Sequence, residues 1–377
     1  MPIRRTRKKS SAKITLPTDT ELVGIVFHIS PGSNYSIFPE YAKGLHAWFL
    51  NQVRQTNPQL STYLHDGESE KPFTISRLQG KLLNNNAKLQ LAVDSNYQWY
   101  VSALSARLVA WMADWLQNLP KTIELSNAPL QIKSVEIAHP ATTYKQLLEN
   151  KLNNKLNNKL NNTLSLSYIS PTSFRRKKNH FPLPLPFNIF QSYLRRWNDF
   201  SNLPVEQDAF LEWVDENVII QRHQISTTRV AGGKRGLVTG FTGAVEFGLG
   251  KEASKQPEYV NLYRALGQLA PYCGTGHKTT FGLGQTRLGW LIEEQKIAVV
   301  SPQELLANRI AEITEILMSK QKRTGGSRAI SVCQKRAAIM ARRETGESLQ
   351  DIATDLDIPY ETVKTYVKLT RKILAES

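Results

Sequence analysis

Hydrophobic and polar positions follow a recurring order of strand-like and helix-like segments along the first part of the chain. Residues 21–29 are rich in β-branched and aromatic side chains, which is typical of a buried strand. The next helical segment places Leu45, Trp48 and Phe49 on one face. The predicted elements are strands at 21–29, 89–93, 97–101 and 130–137 and helices at 41–53 and 105–119. The order β-α-β-β-α-β predicts a ferredoxin-like fold.

A second series with the same character begins near residue 164. Its predicted elements are a strand at 164–169, a helix at 187–200, strand-rich segments at 211–226 and 237–247, a helix at 258–269 and a strand at 285–291. Between the two series, 151–162 holds three copies of Lys-Leu-Asn-Asn, a period too short for a solenoid unit. We interpret this tract as a tolerated insertion or a short polar helix.

The C-terminal part has a helical pattern only. A helix is predicted from 301 to about 318, then a flexible linker at 320–327. Residues 349–358 and 360–366 resemble the helix-turn-helix of bacterial regulators and sigma-type factors, with Asp357 where glycine is common at the turn. Aspartate tolerates left-handed backbone geometry, so the match is only modestly weakened.

The sequence therefore predicts an α+β chain of tandem ferredoxin-like (RRM-like) domains followed by a small all-α helix-turn-helix domain. The predicted domains are a basic arm at 1–20, a ferredoxin-like domain at 21–150, a low-complexity insertion at 151–163, a second ferredoxin-like domain at 164–295, a helix and linker at 296–328 and the helix-turn-helix domain at 329–377.

Charge and cysteine content narrow the functional classes. The chain has 48 Lys and Arg against 32 Asp and Glu, a net charge of +16, which indicates nucleic acid first and an acidic membrane surface second. No apolar run approaches the ~20 residues that span a bilayer. Cys273 and Cys333 have no partner at ligand spacing, which argues against disulfides and a zinc site. A cytoplasmic setting fits, and we expect no metal and no cofactor.

A glycine-rich segment carries the most specific signal. Gly274, Gly276, Lys278, Gly282 and Gly284 follow a predicted helix and precede a strand. A P-loop follows a strand and precedes a helix, and no residue separates its last glycine from its lysine, so the segment does not match it. A dinucleotide-binding fingerprint also lies between a strand and a helix, so it does not match either. The segment resembles the Gly-x-Gly-x-Lys-x-x-x-Gly-x-Gly motif of the CRISPR-associated RAMP endoribonucleases that process repeat RNA. Segments 241–247 and 170–186 also resemble this family, and the resemblance covers about residues 20–292.

The resemblance implies cleavage of CRISPR repeat RNA without metal, by attack of a 2′-hydroxyl that leaves a cyclic phosphate and a 5′-hydroxyl. Residues 57–76 resemble the family segment in which a histidine follows Tyr-Leu and a lysine precedes Phe-Thr; these are His65 and Lys71. The family's tyrosine would fall at Leu50, and His46, one helical turn earlier on the same face, could replace it. We therefore predict His65 as the proton-transfer residue, His46 as a second acid or base, and Lys71 as the phosphate stabiliser.

RNA binding is predicted at two places. The glycine-rich segment is interpreted as a backbone cradle for phosphate, formed by Gly274, Gly276, His277, Lys278, Gly282 and Gly284. Basic clusters predict a phosphate-tracking groove, and they comprise Arg175, Arg176, Lys177 and Lys178, then Arg195 with Arg196, and Lys234 with Arg235.

Two alternatives stay open. Because the tyrosine is missing at Leu50, the chain could be a catalytically inactive RAMP-type RNA-binding subunit. It could also be a DNA-binding regulator whose recognition helix at 360–372 presents Lys364, Thr365, Lys368 and Arg371; a three-helix packing module without DNA contact is the plainer interpretation of that region. Repeat RNA, CRISPR effector subunits and DNA are thus the predicted partners. We expect removal of the residues after 327 to leave RNA cleavage intact.

Overall fold

A computed structural model describes residues 14–66, 70–85, 88–93, 95–125, 127–149, 163–177, 179–231, 237–292, 302–320 and 327–375. The repeat tract at 151–162, Lys178, and Lys234 with Arg235 lie outside these residues. In the part of the chain that the structure describes, no helix combines the length and apolarity that crossing a membrane requires. Both cysteines are buried, and neither forms a disulfide bond.

The first half of the chain folds into a five-stranded antiparallel sheet with helices packed on it. Its elements are β1 (Leu22–Pro31), β2 (Tyr35–Ile37), α1 (Ala42–Thr56), α2 (Pro58–Asp66), β3 (Phe73–Ile75), β4 (Leu83–Asn85), β5 (Lys88–Leu91), β6 (Tyr97–Ala103), α3 (Ala106–Gln117), β7 (Thr122–Leu125), β8 (Ala128–Thr142) and α4 (Tyr144–Leu148). The strand order β3-β6-β1-β8 is that of a ferredoxin-like fold, and β7 extends the edge. The predicted fold class is confirmed.

One predicted strand pair is wrong. β5 does not pair with β6; it joins β2 and β4 in a separate three-stranded sheet. The partner of β6 at the sheet edge is β3, in which Phe73 lies opposite Ala103. Leu89 and Leu91 on β5 are nonetheless fully buried, so the alternation that predicted a strand there was physically sound. It did not specify the partner.

The second unit repeats the topology with the order β12-β13-β9-β14. Its elements are β9 (Thr163–Thr172), β10 (Phe174–Arg176), β11 (Asn179–Phe181), α5 (Pro186–Phe200), α6 (Gln207–Asn217), β12 (Val218–Ala231), β13 (Leu237–Leu249), α7 (Pro257–Cys273) and β14 (Thr286–Leu288). The predicted strand from 211 is wrong at its start, because Phe210, Leu211, Trp213 and Val214 are buried at helical spacing in α6. The β-branched run that follows forms β12 without an intervening loop.

The C-terminal region is helical. It consists of α8 (Pro302–Ser319), α9 (Ser327–Glu344), α10 (Leu349–Leu356) and α11 (Tyr360–Ala375). Asp357 ends α10 in the left-handed conformation with φ 54°, as the turn requires. The core of this region includes Ile352, Val363 and Val367 and continues onto Ala231 of β12. The region therefore packs directly on the second ferredoxin-like unit.

Candidate active site

A cavity of about 310 Å³ opens where the two ferredoxin-like units and the C-terminal helices meet. Its walls come from α1, the segment after β3, the end of β12, the glycine-rich loop and α10. The lining residues are Glu40, Ala42, Lys43, His46, Arg77, Ala231, Lys278, Phe281, Leu283 and Asp355. His46 and Lys278, predicted separately from distant parts of the sequence, thus lie on one cavity.

His46 is held by contacts with two aromatic rings. The centroid of its imidazole lies 4.3 Å from that of Phe281 in the glycine-rich loop and 5.8 Å from that of Phe73 on β3, with the rings stacked. Burial, together with the nearby His65 and Lys71, lowers the pKa of His46 to about 4. The imidazole is therefore neutral at pH 7 and able to accept a proton.

His65 and Lys71 lie on the same side of the first unit as His46. His65 is exposed in the last turn of α2, and Lys71 precedes β3. The Nζ of Lys71 donates to the His65 carbonyl oxygen at 3.4 Å. Leu50, at the position of the family's tyrosine, is buried in the core of the first unit. The structure thus brings the three predicted catalytic residues together, and it offers no acid or base at position 50.

The glycine-rich loop is shaped by backbone geometry that only glycine adopts easily. Gly274, Gly276, Gly282 and Gly284 all have positive φ, between 64° and 78°. A Cβ on Gly284 would lie 2.0 Å from the carbonyl oxygen of Thr275, and one on Gly276 would lie 2.3 Å from that of Ser173. The glycines therefore let three chain segments pack closely at the boundary between the two units.

Most of the loop's backbone is already hydrogen-bonded. The N–H groups of Gly274, Gly276 and Gly284 donate to the Ala270 carbonyl, the Ser192 hydroxyl and the Pro171 carbonyl. These glycines are buried, so in this structure their N–H groups are not available to a phosphate. Direct contact of the loop with RNA stays a prediction, and it now depends on the partly exposed His277 and Lys278.

His277 and Lys278 differ in what holds them. His277 donates from Nδ1 to the Ser173 carbonyl oxygen at 2.7 Å and stacks on His180. Lys278 adopts the left-handed conformation with φ 63°. Burial, together with the charges of Lys43 and Arg175, lowers the pKa of Lys278 to about 8. The loop thus turns a partly desolvated ammonium group into the cavity.

The predicted basic clusters differ in exposure. Arg175, Arg176 and Lys177 are exposed on the β10–β11 hairpin, as a phosphate-binding surface requires. Arg196, in contrast, is 3% exposed and donates to the Gly276 carbonyl at 2.8 Å and to Ser192. It also pairs with Glu70 at 3.2 Å. The prediction that Arg196 belongs to an RNA surface is wrong, because this side chain fastens the glycine-rich loop.

Two family models match the chain. Residues 23–158 match the CRISPR Cas6 N-terminal domain, and residues 166–286 match the CRISPR-associated endoribonuclease Cas6. The chain belongs to the Cas6 family. The predicted resemblance to CRISPR-associated RAMP endoribonucleases is thereby confirmed. No curated protein matches the sequence.

Solved Cas6 structures share this fold. A Cas6 solved in a product complex is 26% identical to this chain. The match covers 71% of this chain and 99% of that Cas6, with a TM-score of 0.55. The same Cas6 in a substrate mimic complex is 25% identical, covering 72% and 100%, with a TM-score of 0.53. Thermus thermophilus Cas6, 23% identical over 72% and 99% with a TM-score of 0.52, supports the fold alone.

The helices α8 to α11 lie outside both Cas6 family models. They are nevertheless not separate from the site, because Asp355 on α10 lines the cavity and accepts a hydrogen bond from Lys43 of α1. The expectation that this region is independent of the RNA site does not fit that contact. On the outer side, Lys364, Thr365, Lys368 and Arg371 are all exposed on α11.

Most residues that line the cavity were not predicted as site residues from the sequence, among them Phe281, Lys43, Arg77 and Asp355. Phe281 could have been found as the one aromatic side chain inside the glycine-rich motif, and Lys43 lies one helical turn before His46. Arg77 follows the Phe-Thr-Ile-Ser segment already singled out. Asp355 carried no signal, because its position depends on how a helical region folds back onto the core.

Proposed function

We propose that this Cas6 is an endoribonuclease that cleaves CRISPR repeat RNA without a metal ion. The observation that carries the proposal is His46, a neutral histidine held on the cavity between the two units by Phe281 of the glycine-rich loop, with His65 and Lys71 nearby. The likeness to Cas6 proteins in a product complex and a substrate mimic complex supports it. Incubating the chain with repeat RNA in a chelator tests it.

The chemistry needs two proton transfers and a stabilised phosphate. His46 accepts the proton of the 2′-hydroxyl as its oxygen attacks the adjacent phosphorus. The bond between phosphorus and the 5′-oxygen breaks, and His65 donates a proton to that leaving oxygen. Lys71 stabilises the charge on the non-bridging oxygens. The products are a 2′,3′-cyclic phosphate and a 5′-hydroxyl, and the two histidines have exchanged their protonation states.

RNA binding by the β10–β11 hairpin predicts a specific salt dependence. Replacing Arg175, Arg176 and Lys177 by alanine together should weaken binding of repeat RNA and flatten the plot of log affinity against log salt. Each lost phosphate contact should reduce the slope by about 0.7, the value for single-stranded nucleic acid. Fluorescence anisotropy with labelled repeat RNA at several salt concentrations measures both quantities.

The matched control removes three exposed lysines that lie off this hairpin, namely Lys121, Lys251 and Lys255. Their replacement by alanine lowers the net charge equally. If both triple variants show the same slope, the hairpin does not bind RNA and only the overall charge matters.

The exposed face of α11 favours a second activity, the binding of duplex DNA. Lys364, Lys368 and Arg371 are presented by a helix that follows the left-handed turn at Asp357, as in helix-turn-helix proteins that dock in the major groove. Replacing Lys368 and Arg371 by alanine should weaken binding to random-sequence duplex DNA and leave RNA cleavage unchanged. Unchanged DNA affinity would favour a packing role for this region.

A further inference from the structure

The candidate active-site cavity holds more positive charge than the proposed cleavage chemistry uses. Lys43 of α1, Arg77 after β3 and Lys278 of the glycine-rich loop all line it. Two carboxylates, those of Glu40 and Asp355, also line the cavity. Cations gathered at one pocket from three separate segments indicate an anion site, provided that they are not fully used by protein partners.

Arg77 is the cation with the clearest unused capacity. Its Nε and Nη1 are buried and have no hydrogen-bond partner among the residues that the structure describes. Its stem packs against Gly282, where a Cβ would lie 2.6 Å from the Arg77 Cγ. Burial lowers the pKa of Arg77, but a guanidinium stays protonated at neutral pH. Burying a charged donor without an acceptor costs free energy of folding. An anion that enters the cavity could accept hydrogen bonds from these nitrogens of Arg77 and offset that cost.

Lys43 already has an anionic partner, supplied by the C-terminal helices. Its Nζ donates to Asp355 of α10 and to Glu40 at 3.1 Å. Asp355 also accepts from Arg342 at 2.7 Å. Burial raises the pKa of Asp355, but Lys43 and Arg342 outweigh it and lower the pKa, so the carboxylate is charged at pH 7. A carboxylate of the protein therefore already pairs with one cation of the site.

Arg342 anchors α9 and α10 through more than this contact. It is 4% exposed and pairs with Glu40 at 2.9 Å and with Glu347. The anchor therefore does not depend on the Lys43–Asp355 pair. Lys43 can exchange Asp355 for another anion while the C-terminal region stays docked.

We propose that Lys43, Arg77 and Lys278 bind one phosphate of the RNA in this cavity, and that the carboxylate of Asp355 competes with that phosphate for Lys43. The proposal rests on the proposed function, because repeat RNA is the ligand. It follows from the position of the cations beside His46, where the proposed chemistry places the RNA backbone. The C-terminal helices thereby set how tightly RNA is held at the cleavage site.

The test uses the full chain and a repeat RNA whose 2′-hydroxyls around the cleavage site, mapped with the unmodified chain, are replaced by hydrogen. Arg77→Met keeps the stem against Gly282 and removes the charge. It should weaken binding by about tenfold and reduce the salt slope by about 0.7. Arg77→Lys should restore most of the slope. Asp355→Asn should bind RNA severalfold more tightly than the unmodified chain.

The matched control is Arg54→Met, which removes an exposed arginine of α1 that does not line the cavity. It should leave affinity and slope unchanged. An Arg77→Met variant with an unchanged salt slope overturns the phosphate site, even if its melting temperature falls. Weaker RNA binding by Asp355→Asn overturns the competition. If the unmodified chain fails to bind repeat RNA, the proposed function is overturned as well. If the unmodified chain cleaves unmodified repeat RNA normally, and Arg77→Met binds RNA with unchanged affinity and salt slope, only the phosphate site is overturned.

Discussion

Alanine in place of His46 is expected to slow cleavage of repeat RNA by about 10²- to 10⁴-fold, the usual contribution of a positioned proton-transfer group. The imidazole is neutral at pH 7 and is held in place by its stacking on Phe73 and Phe281, so the alanine variant loses the positioned base of the proposed chemistry. Single-turnover rates with saturating enzyme measure the effect on the chemical step. His223, an exposed histidine on β12, provides the matched alanine control and should cleave at the normal rate.

The separate roles of the two histidines can be tested with a modified substrate. Sulfur in place of the bridging 5′-oxygen leaves without protonation, so the His65→Ala variant should recover cleavage on that RNA. His46→Ala should not recover, because the 2′-hydroxyl still needs a base. Recovery of both variants, or of neither, would contradict the assignment.

The pH dependence of cleavage also tests whether His46 is the base. A base acts when deprotonated, and the pKa of His46 is lowered to about 4 by burial and the nearby His65 and Lys71. The decline of kcat/KM on the acid side should therefore lie near pH 4 rather than near 6.5, the ordinary pKa of histidine. An acid limb near 6.5 that persists in His46→Ala would assign the base elsewhere.

Replacing Gly284 by alanine should destabilise the protein by about 2 to 6 kcal/mol, through backbone strain and collision together. The residue has φ 68°, and a Cβ would lie 2.0 Å from the carbonyl oxygen of Thr275, a fully buried residue whose hydroxyl is hydrogen-bonded to Tyr193 and Thr286. Thermal unfolding measures the change. RNA cleavage should fall in parallel, because the same loop carries Lys278 and Phe281.

Gly289→Ala separates the two causes. Gly289 also has positive φ, at 92°, but a Cβ there would meet nothing within 4 Å. Only strain remains, so the melting temperature should fall much less than for Gly284→Ala. Equal losses would show that the close packing of the loop contributes little to stability.

The ferredoxin-like units could be predicted because their long strands and helices have clear periodicity. The error at β5 arose because the true edge strand, Phe73–Ile75, has three residues and follows Pro72, too short for any alternation to show. Leu89 and Leu91 then gave a stronger strand pattern nearby. Pairing partners depend on long-range packing, which a local pattern does not contain.

The candidate site was predictable only in the residues that family motifs mark. His65, Lys71 and Lys278 were predicted by resemblance, and His46 by its place on α1, one helical turn before the position of the missing tyrosine. Arg196 was misread because an Arg-Arg pair in sequence gives no sign that one member is buried against Gly276. Asp355 lies more than 300 residues after Lys43, so their contact follows from the docking of the C-terminal helices alone.

The most direct measurement of the central claim is cleavage of CRISPR repeat RNA by the purified chain in excess chelator, with the product ends identified by mass spectrometry. We expect one cut that leaves a 2′,3′-cyclic phosphate and a 5′-hydroxyl, and no cut when the 2′-hydroxyl at that position is replaced by hydrogen. Cleavage only after addition of a divalent metal, or products with a 5′-phosphate, would contradict the account.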